Sequence, residues 1–443
     1  MSPVHGVGED GLEALLRQAG LLEVAASCAD DWLQLADLYG AIERRDAEDH
    51  RWPGMRGHVY WLADLPRQAL WSCWRALQLA PDDPVLLRGL ANVLLDLNAF
   101  DLADRAYGRS QALGGGAATA WNHSQLLIGL ERYQEGYAMA ELRWALPGYE
   151  PWRHPDQAGA RSLADLQGPL LVWSEQGLGD TLQHLRWLGP LQRLRGQDAP
   201  SLVLEVEASL VPLVQQSLPT QGWAMLVRAK SERGAEPWSG RHISLLSLPW
   251  LLGGAPQPRG ASWLADPAWP PVRAWPWRRP RIGLVWAAGR KLVEPYTARE
   301  YWRRSLDPES LGALITGLAE LGVELVLLQV GGDRDQSKPW DQYVSDWLPD
   351  SADFAATAAT VAELDLVISV DTSTAHLVGA MGRRCWLLLP YSAAPRWLRW
   401  RCDTPWYPGM RLYRQQSSGD WRSVVERVLL HMSVALRDSA AAI

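Results

Sequence analysis

Between residues 267 and 280 the chain carries Pro267, Pro270, Pro271, Pro276 and Pro280. Proline donates no backbone N–H and fixes φ, so this stretch is neither regular helix nor central strand. Short apolar runs alternate with amphipathic ones on both sides of it. Before it, Leu170–Ser174, Leu202–Val206 and Trp223–Val227 read as buried strands, with helices over Thr181–Leu194 and Leu210–Ser217. After it come strands Ile282–Trp286, Val323–Gln329, Leu366–Val370 and Cys385–Leu389, with helices over Pro308–Leu321, Ser373–Met381 and Asp420–Leu436. Strands alternating with helices predict parallel, doubly wound sheets. The interruption predicts two Rossmann-like lobes, 169–266 and 281–443, joined by a linker over 267–280. A cleft is expected between the carboxyl edges of the two sheets.

The first third follows a different period. Arg75–Tyr107 can be laid on Arg109–Ala140 at an offset of about 33–34 residues. In the first copy Ala76, Leu77, Leu79, Ala80 and Pro81 lead into Leu86, Leu90, Leu94, Leu97, Phe100 and Ala103. In the second, Leu113 precedes Trp121, Leu126, Leu127, Leu130, Tyr133 and Gly136. Each copy gives two amphipathic helices with small residues where they cross, a spacing that resembles a tetratricopeptide repeat. Such units bury their apolar faces by stacking on one another. The segments 12–22 and 31–42 read as degenerate copies or caps. An all-helical repeat domain is thus expected over 1–147, and a loop rich in Pro, Trp, Gly and Asp over 148–168 links it to the α/β part.

Composition narrows the function classes. A chain of 443 residues accommodates about three domains. A net charge of −7 excludes a general nucleic-acid-binding surface. No apolar run is long enough to span a bilayer, and Met1–Gly11 lacks a basic region followed by an apolar stretch, so a cytoplasmic location is expected. Cys28, Cys73, Cys385 and Cys402 are scattered, which predicts neither a disulfide framework nor a zinc site. The 26 Trp against 2 Phe invite a sugar-stacking reading. Phe and Lys are depleted together, however, and the base composition of a GC-rich genome accounts for that better.

Two constellations carry chemistry. Trp173–Ser174–Glu175–Gln176–Gly177–Leu178–Gly179–Asp180–Thr181 stands at a strand-to-helix turn. Gly177 and Gly179 permit a tight turn and close backbone approach. Asp180 at the helix start is either an N-cap or a general base. The third glycine of a dinucleotide fingerprint is absent, which disfavours a dehydrogenase. The second constellation is Val367–Ile368–Ser369–Val370–Asp371–Thr372–Ser373–Thr374–Ala375–His376. A buried strand ends in Asp371, and a hydroxyl-rich helix start follows, with His376 one turn in. Backbone N–H groups, hydroxyls and the helix dipole there suit an anion; the alternative is an ordinary cap with a buried histidine. Arg396, Arg399 and Arg401, beside Trp397 and Trp400, either flank the cleft or form a solvated face, and their spacing favours the solvated face.

Together these segments resemble the heptosyltransferase-like glycosyltransferases of family nine, of the kind fused to tetratricopeptide repeats, over about Leu166–Leu430. The similar runs are residues 175–181, Asp371–His376, Arg304–Ser305–Leu306, Pro405–Trp406–Tyr407–Pro408 and Gly419–Asp420–Trp421. The resemblance implies an α/β GT-B fold, two Rossmann-like lobes behind an all-α repeat domain. It also implies an inverting, metal-independent transfer from a nucleotide-sugar donor to a protein or glycan acceptor, with no other cofactor. Asp180 would be the base, on the acceptor side. Asp371, Thr372, Ser373, His376, Arg304 and Ser305 would hold the donor diphosphate. After Trp286–Ala287–Ala288–Gly289 the chain runs on with Arg290 and Lys291, so the basic phosphate contact falls either to them or to Arg304. Gln329 either touches the nucleoside or caps its strand. The repeats would hold the acceptor or a partner. The competing expectation is a scaffold that keeps the fold without catalysis.

Overall fold

Helix signals in the first third are local ones. Pro66 and Pro84 occupy first helical positions, where a missing N–H costs nothing. The Asp83 side chain accepts from Val85 N at 2.7 Å and Leu86 N at 3.1 Å. The helices are α1 Glu9–Ala25, α2 Ala29–Glu43, α3 Arg51–Leu62, α4 Pro66–Leu79, α5 Pro84–Asp96, α6 Phe100–Ala112, α7 Gly116–Gly129 and α8 Tyr133–Ala140. From α1 to α6 each packs on the next. Asp64, Asn98 and Glu131 adopt left-handed φ of 57°, 58° and 62° in the turns after α3, α5 and α7. They stand 34 and 33 residues apart, so the backbone repeats one copy earlier than the side-chain pattern.

The computed structural model describes residues 9–441 other than 27, 150–153, 155–158, 197, 232–233, 257–261, 274–278 and 349–351. Pro276 and much of the 148–168 loop fall outside the described residues. The chain forms two compact units: Met1–Leu127 with Gly289–Arg303, and Ile128–Ala288 with Arg304–Ile443. The second repeat copy is therefore divided, and α8 packs in the second unit against α12, Leu248–Leu252.

The second unit holds two sheets. In the first, β1 Leu170–Trp173, β2 Leu202–Val206, β3 Leu226–Ala229 and β4 Arg241–Ser244 run parallel in the order β3-β2-β1-β4. The second comprises β5 Arg281–Val285, β6 Glu324–Leu327, β7 Val344–Asp346, β8 Leu366–Val370, β9 Cys385–Leu389 and β10 Met410–Arg414. These are also parallel, in the order β10-β9-β8-β5-β6-β7. The connecting helices are α9 Leu178–His184, α10 Leu188–Arg195, α11 Val211–Gln221, α14 Pro308–Glu320, α15 Phe354–Ala362, α16 Ser373–Ala380 and α17 Trp421–Ala441. One helix, α13 Pro295–Arg304, begins in the segment counted with the first unit.

Chain order reverses between β1 and β4 in one sheet and between β5 and β8 in the other. Such switch points open a crevice at the carboxyl ends of the strands. Asp180 follows β1; Trp286 follows β5 and Asp371 follows β8. The single helix expected over 181–194 is two, α9 and α10, with a 3-10 turn at Leu185–Trp187 between them. Strands β4, β7 and β10 have no counterpart in the sequence reading.

Candidate active site

The turn after β1 is held from below by buried charge. Glu175 Oε1 accepts from Arg143 Nε at 3.0 Å and Nη2 at 2.5 Å, and Arg143 also donates to Ser247 Oγ at 2.8 Å. Burial raises the Glu175 carboxyl above its ordinary range despite Arg143. Helix α9 then starts at Leu178, so Gly177 is its cap residue and Asp180 its third residue. That corrects Asp180 as an N-cap. Its Oδ2 reaches back to accept from Gly177 N at 3.2 Å, which satisfies a donor otherwise left over at a helix start.

The other oxygen faces the second lobe. Asp180 Oδ1 lies 2.7 Å from Arg396 Nη1, which also donates to Gln183 Oε1 at 2.9 Å. Burial pushes the Asp180 carboxyl up, but the charge and hydrogen bond of Arg396 outweigh it and hold it below the usual range. Arg396 belongs to the 3-10 turn Pro395–Trp397, and its guanidinium is three-quarters enclosed. The expectation of a solvated helix face is wrong for Arg396. Arg401 also lies outside any helix; it pairs with Asp403 at 2.8 Å and is partly exposed.

The two constellations meet at α9 and α16. A Cβ on Gly179 would stand 2.8 Å from His376 Cδ2, so a glycine there is what lets the helices come together. His376 is 3% exposed. Its Nδ1 lies 2.6 Å from Tyr407 Oη, its ring stacks on Trp397 at 5.1 Å, and its Nε2 is 3.8 Å from Asp371 Oδ1. Burial, then the Arg396 charge, depresses its pKa to about 3, so His376 is neutral at pH 7. His184, whose Nδ1 lies 2.8 Å from Asp180 O, is lowered to about 4 chiefly by burial. Arg186 is stacked between Trp263 at 4.3 Å and Trp406 at 4.9 Å and donates to Trp406 O.

Thr372 caps α16 by accepting from Ala375 N at 3.4 Å, and its hydroxyl lies 3.1 Å from Ser369 Oγ. Thr372 and Ser373 are half-buried, while Asp371 is buried. Arg304 Nη1 donates to Asp371 O at 3.3 Å, which brings this arginine to the second constellation. Ser305 Oγ accepts from Ala288 N at 3.1 Å, and Gln329 Oε1 accepts from Trp286 N at 3.1 Å and Ala287 N at 3.0 Å. Both side chains thus shape the turn after β5, and for Gln329 the strand-end role is the one its bonds display. Trp286 is buried, its Nε1 donating to Gln336 Oε1 at 3.1 Å. Arg290 and Lys291 fall in the first unit, where Arg290 lies over the Tyr301 ring at 5.9 Å and Lys291 O accepts from Thr297 Oγ1 at 2.8 Å.

What converges is a half-buried carboxylate and a hydroxyl-rich helix start, each following a switch-point strand of its own sheet, with a guanidinium from the turn after β9 beside the carboxylate. Among the described residues no three His, Cys, Asp or Glu side chains gather as metal ligands, and no helix is long and apolar enough to cross a membrane. Sequence reasoning missed Gln183 and Tyr407 as members of this cluster, and of its two readings of Arg396 it favoured the solvated face over the cleft flank. Tyr407 stood within a run similar to the family's, and that was the available signal.

No family model matches the sequence. Protein FlbA of Caulobacter vibrioides is 28% identical over 411 residues, covering 83% of this chain. The chain spans 63% of the length of that relative. Among solved structures, ADP-heptose lipopolysaccharide heptosyltransferase II of E. coli matches 61% of this chain and 99% of its own, at 14% identity and a TM-score of 0.39. A mutant O-GlcNAc transferase of Thermobaculum terrenum matches 98% of this chain and 95% of its own, at 13% identity and a TM-score of 0.34. The dodecameric glycosyltransferase TibC of enterotoxigenic E. coli covers 62% of this chain and 76% of its own, at 14% identity and a TM-score of 0.40. At TM-scores this low the likenesses decide nothing about chemistry, and the site's own residues have to.

Proposed function

We propose that the second unit is an inverting, metal-independent glycosyltransferase of GT-B type, moving a sugar from a nucleotide-sugar donor to a protein or glycan acceptor in the cytoplasm. The observation that carries this reading is the meeting of Asp180, after β1, with Arg396, His376 and the start of α16, after β8. A base and an anion cradle come from different sheets to one place, as a displacement at an anomeric carbon requires. The attacking hydroxyl must lose its proton as the leaving diphosphate gains charge. Asp180 takes the proton. Thr372, Ser373 and the α16 dipole, with Arg304 behind Asp371, receive the diphosphate. Neutral His376 positions this start through Tyr407 and Asp371. Arg396 pairs with Asp180 and turns to the incoming anion when the donor binds, which frees the carboxylate. The repeats of the first unit hold the acceptor or a partner. The motif resemblance over 175–181 and 371–376 supports the same reading.

A second reading has an observation of its own. His376 is enclosed by Trp397 and Tyr407, and Asp180 is already neutralised by Arg396, as in a scaffold that has kept the fold and lost catalysis. A thermal-shift screen of the whole protein against nucleoside diphosphates and sugar nucleotides, with and without EDTA, separates the two. A ligand at about 100 times its Kd adds roughly 2.7 kcal/mol of stability. A selective, EDTA-insensitive shift that is lost in Arg304→Ala supports the donor site. No shift with any nucleotide overturns it in favour of the scaffold.

A further inference from the structure

The first unit contains a stretch of chain that begins and ends in the second. Gly289–Arg303 leaves after the turn beyond β5 and returns before α14, yet its side chains are completed by the helical module. Ala298 is fully buried in the core formed by Trp32, Leu35, Tyr39, Val59 and Leu62. Tyr296 stacks on Trp61 at 6.0 Å. The guanidinium of Arg299 lies over the Trp61 ring at 4.2 Å and donates to Trp61 O at 2.7 Å, to Asp64 Oδ1 at 3.2 Å and to Asp96 Oδ2. Arg303 adds contacts to Asp64 at 3.3 Å and Asp96 at 3.6 Å. The Arg299 and Arg303 side chains are only 2% and 8% exposed.

This arrangement has the form of a helix seated on a receptor face. Tyr296, Arg299 and Arg303 fall at i, i+3 and i+7, which is one stripe of a helix. The receptor groups come from equivalent places in successive helix pairs: Trp61 and Asp64 at the end of α3, Asp96 at the end of α5. Asp64 is in the left-handed backbone region at φ 57°, which Asp tolerates better than most residues, and its carboxylate there meets both arginines. Trp61 Nε1 donates to Asp96 Oδ2 at 2.7 Å and so fixes the second carboxylate. Asp64 and Asp96 find these partners 235 and 203 residues along the chain. Asp96, 9% exposed, and Asp64, 28% exposed, favour an occupant that brings matching charge over an apolar segment, which would take away their guanidinium partners.

We propose that this face of the helical module is a binding site for an amphipathic helix presenting an aromatic residue and two arginines at i, i+3 and i+7. Gly289–Arg303 is its intramolecular occupant, and a partner protein carrying the same pattern displaces it. The proposal stands independently of the glycosyltransferase reading. The tethered segment acts at an effective concentration in the millimolar range, so a free peptide competes poorly until the tethered one is weakened.

The test is fluorescence anisotropy with a labelled synthetic peptide of residues 289–303, titrated with the full-length protein and with its Arg299→Ala/Arg303→Ala variant. The variant should bind the peptide at least about tenfold more tightly than the parent. Adding Asp64→Asn and Asp96→Asn to the variant should abolish binding. A peptide with its own two arginines replaced by alanine should not bind. The proposal is overturned if the peptide fails to bind a double variant that circular dichroism shows to be folded, if both proteins bind equally, or if the asparagine substitutions change nothing. Should the double variant not fold, hydrogen exchange on the parent decides. Excess peptide must accelerate exchange of the amides of 295–303, and unchanged rates overturn the proposal.

Discussion

Arg299 and Arg303 in the first unit, and Arg396 in the second, each meet aspartate in a setting poor in water, but the two clusters are built to different ends. In the first, two guanidiniums face Asp64, Asp96 and the helix's own Glu300, and an indole face closes the site; the arginines are almost wholly enclosed, while Asp64 keeps 28% of its surface open. In the second, one guanidinium faces one carboxylate, and the two side chains keep 28% and 19% of their surface open. The closed cluster yields its segment only to an occupant that brings the same charges, since a bare opening strips buried charge of its match. The open one can exchange its partner, which is what a base needs if it is to be uncovered by substrate. A carboxylate that must act cannot be tied as firmly as one that must hold.

Changing the group that acts should have the largest effect. Asp180→Asn keeps an oxygen to accept from Gly177 N but cannot take a proton. Turnover with the donor found by thermal shift should fall by about 10²–10⁴, with donor binding little changed. Undiminished turnover would remove Asp180 as the base. Next comes Arg299→Ala in the closed cluster. Removing one partner of a buried pair costs about 3–5 kcal/mol, and here it is expected as undocking of one segment. Protection of the 295–303 amides against hydrogen exchange should fall by roughly two to three powers of ten, the thermal midpoint moving much less. If protection is unchanged, the cluster is not what holds the segment.

The smallest effect, taken per pH unit, comes from acidification. His376 and His184 have folded pKa values of about 3 and about 4, against an ordinary 6.5. As pH falls through 6.5 the unfolded chain takes up protons that the folded one refuses. Stability is therefore fully present above pH 6.5 and declines towards pH 4, by at most about 1.4 kcal/mol per pH unit for each histidine. Hydrogen exchange resolved by peptide should show the decline in β8 and α16 of the second unit. A flat profile there would mean that both imidazoles titrate normally and that the α9–α16 contact is wetter than the geometry shows.

The central strands were legible because a strand covered on both faces is a nearly unbroken apolar run: β1, β2, β5, β8 and β9 read that way. The strands that escaped notice lie at sheet edges. Arg241–Ser244, Val344–Asp346 and Met410–Arg414 mix charge with apolar residues because one side needs no cover, and β7 is also very short. In the candidate site, Asp180, Asp371 and His376 stood out because each lies where a strand gives way to a helix, a place with recognisable residue types. Arg396 did not, because it lies in an irregular turn amid other arginines and tryptophans. Nothing in the local pattern separates the arginine that turns inward from Arg401, which does not.

The sequence by itself determined what depends on neighbours along the chain. It fixed the periods of helix and strand, the proline break between two α/β series, the caps at Asp83 and Thr372, and the glycines of the first turn. Which distant groups share a charge was decided by the tertiary structure alone. Helix caps and periodicity act within one or two turns, where spacing is fixed by covalent geometry. Pairing of Arg396 with Asp180, or of Arg299 with Asp64 and Asp96, requires surfaces hundreds of residues apart to exclude water together, and no local pattern encodes which charges will meet there.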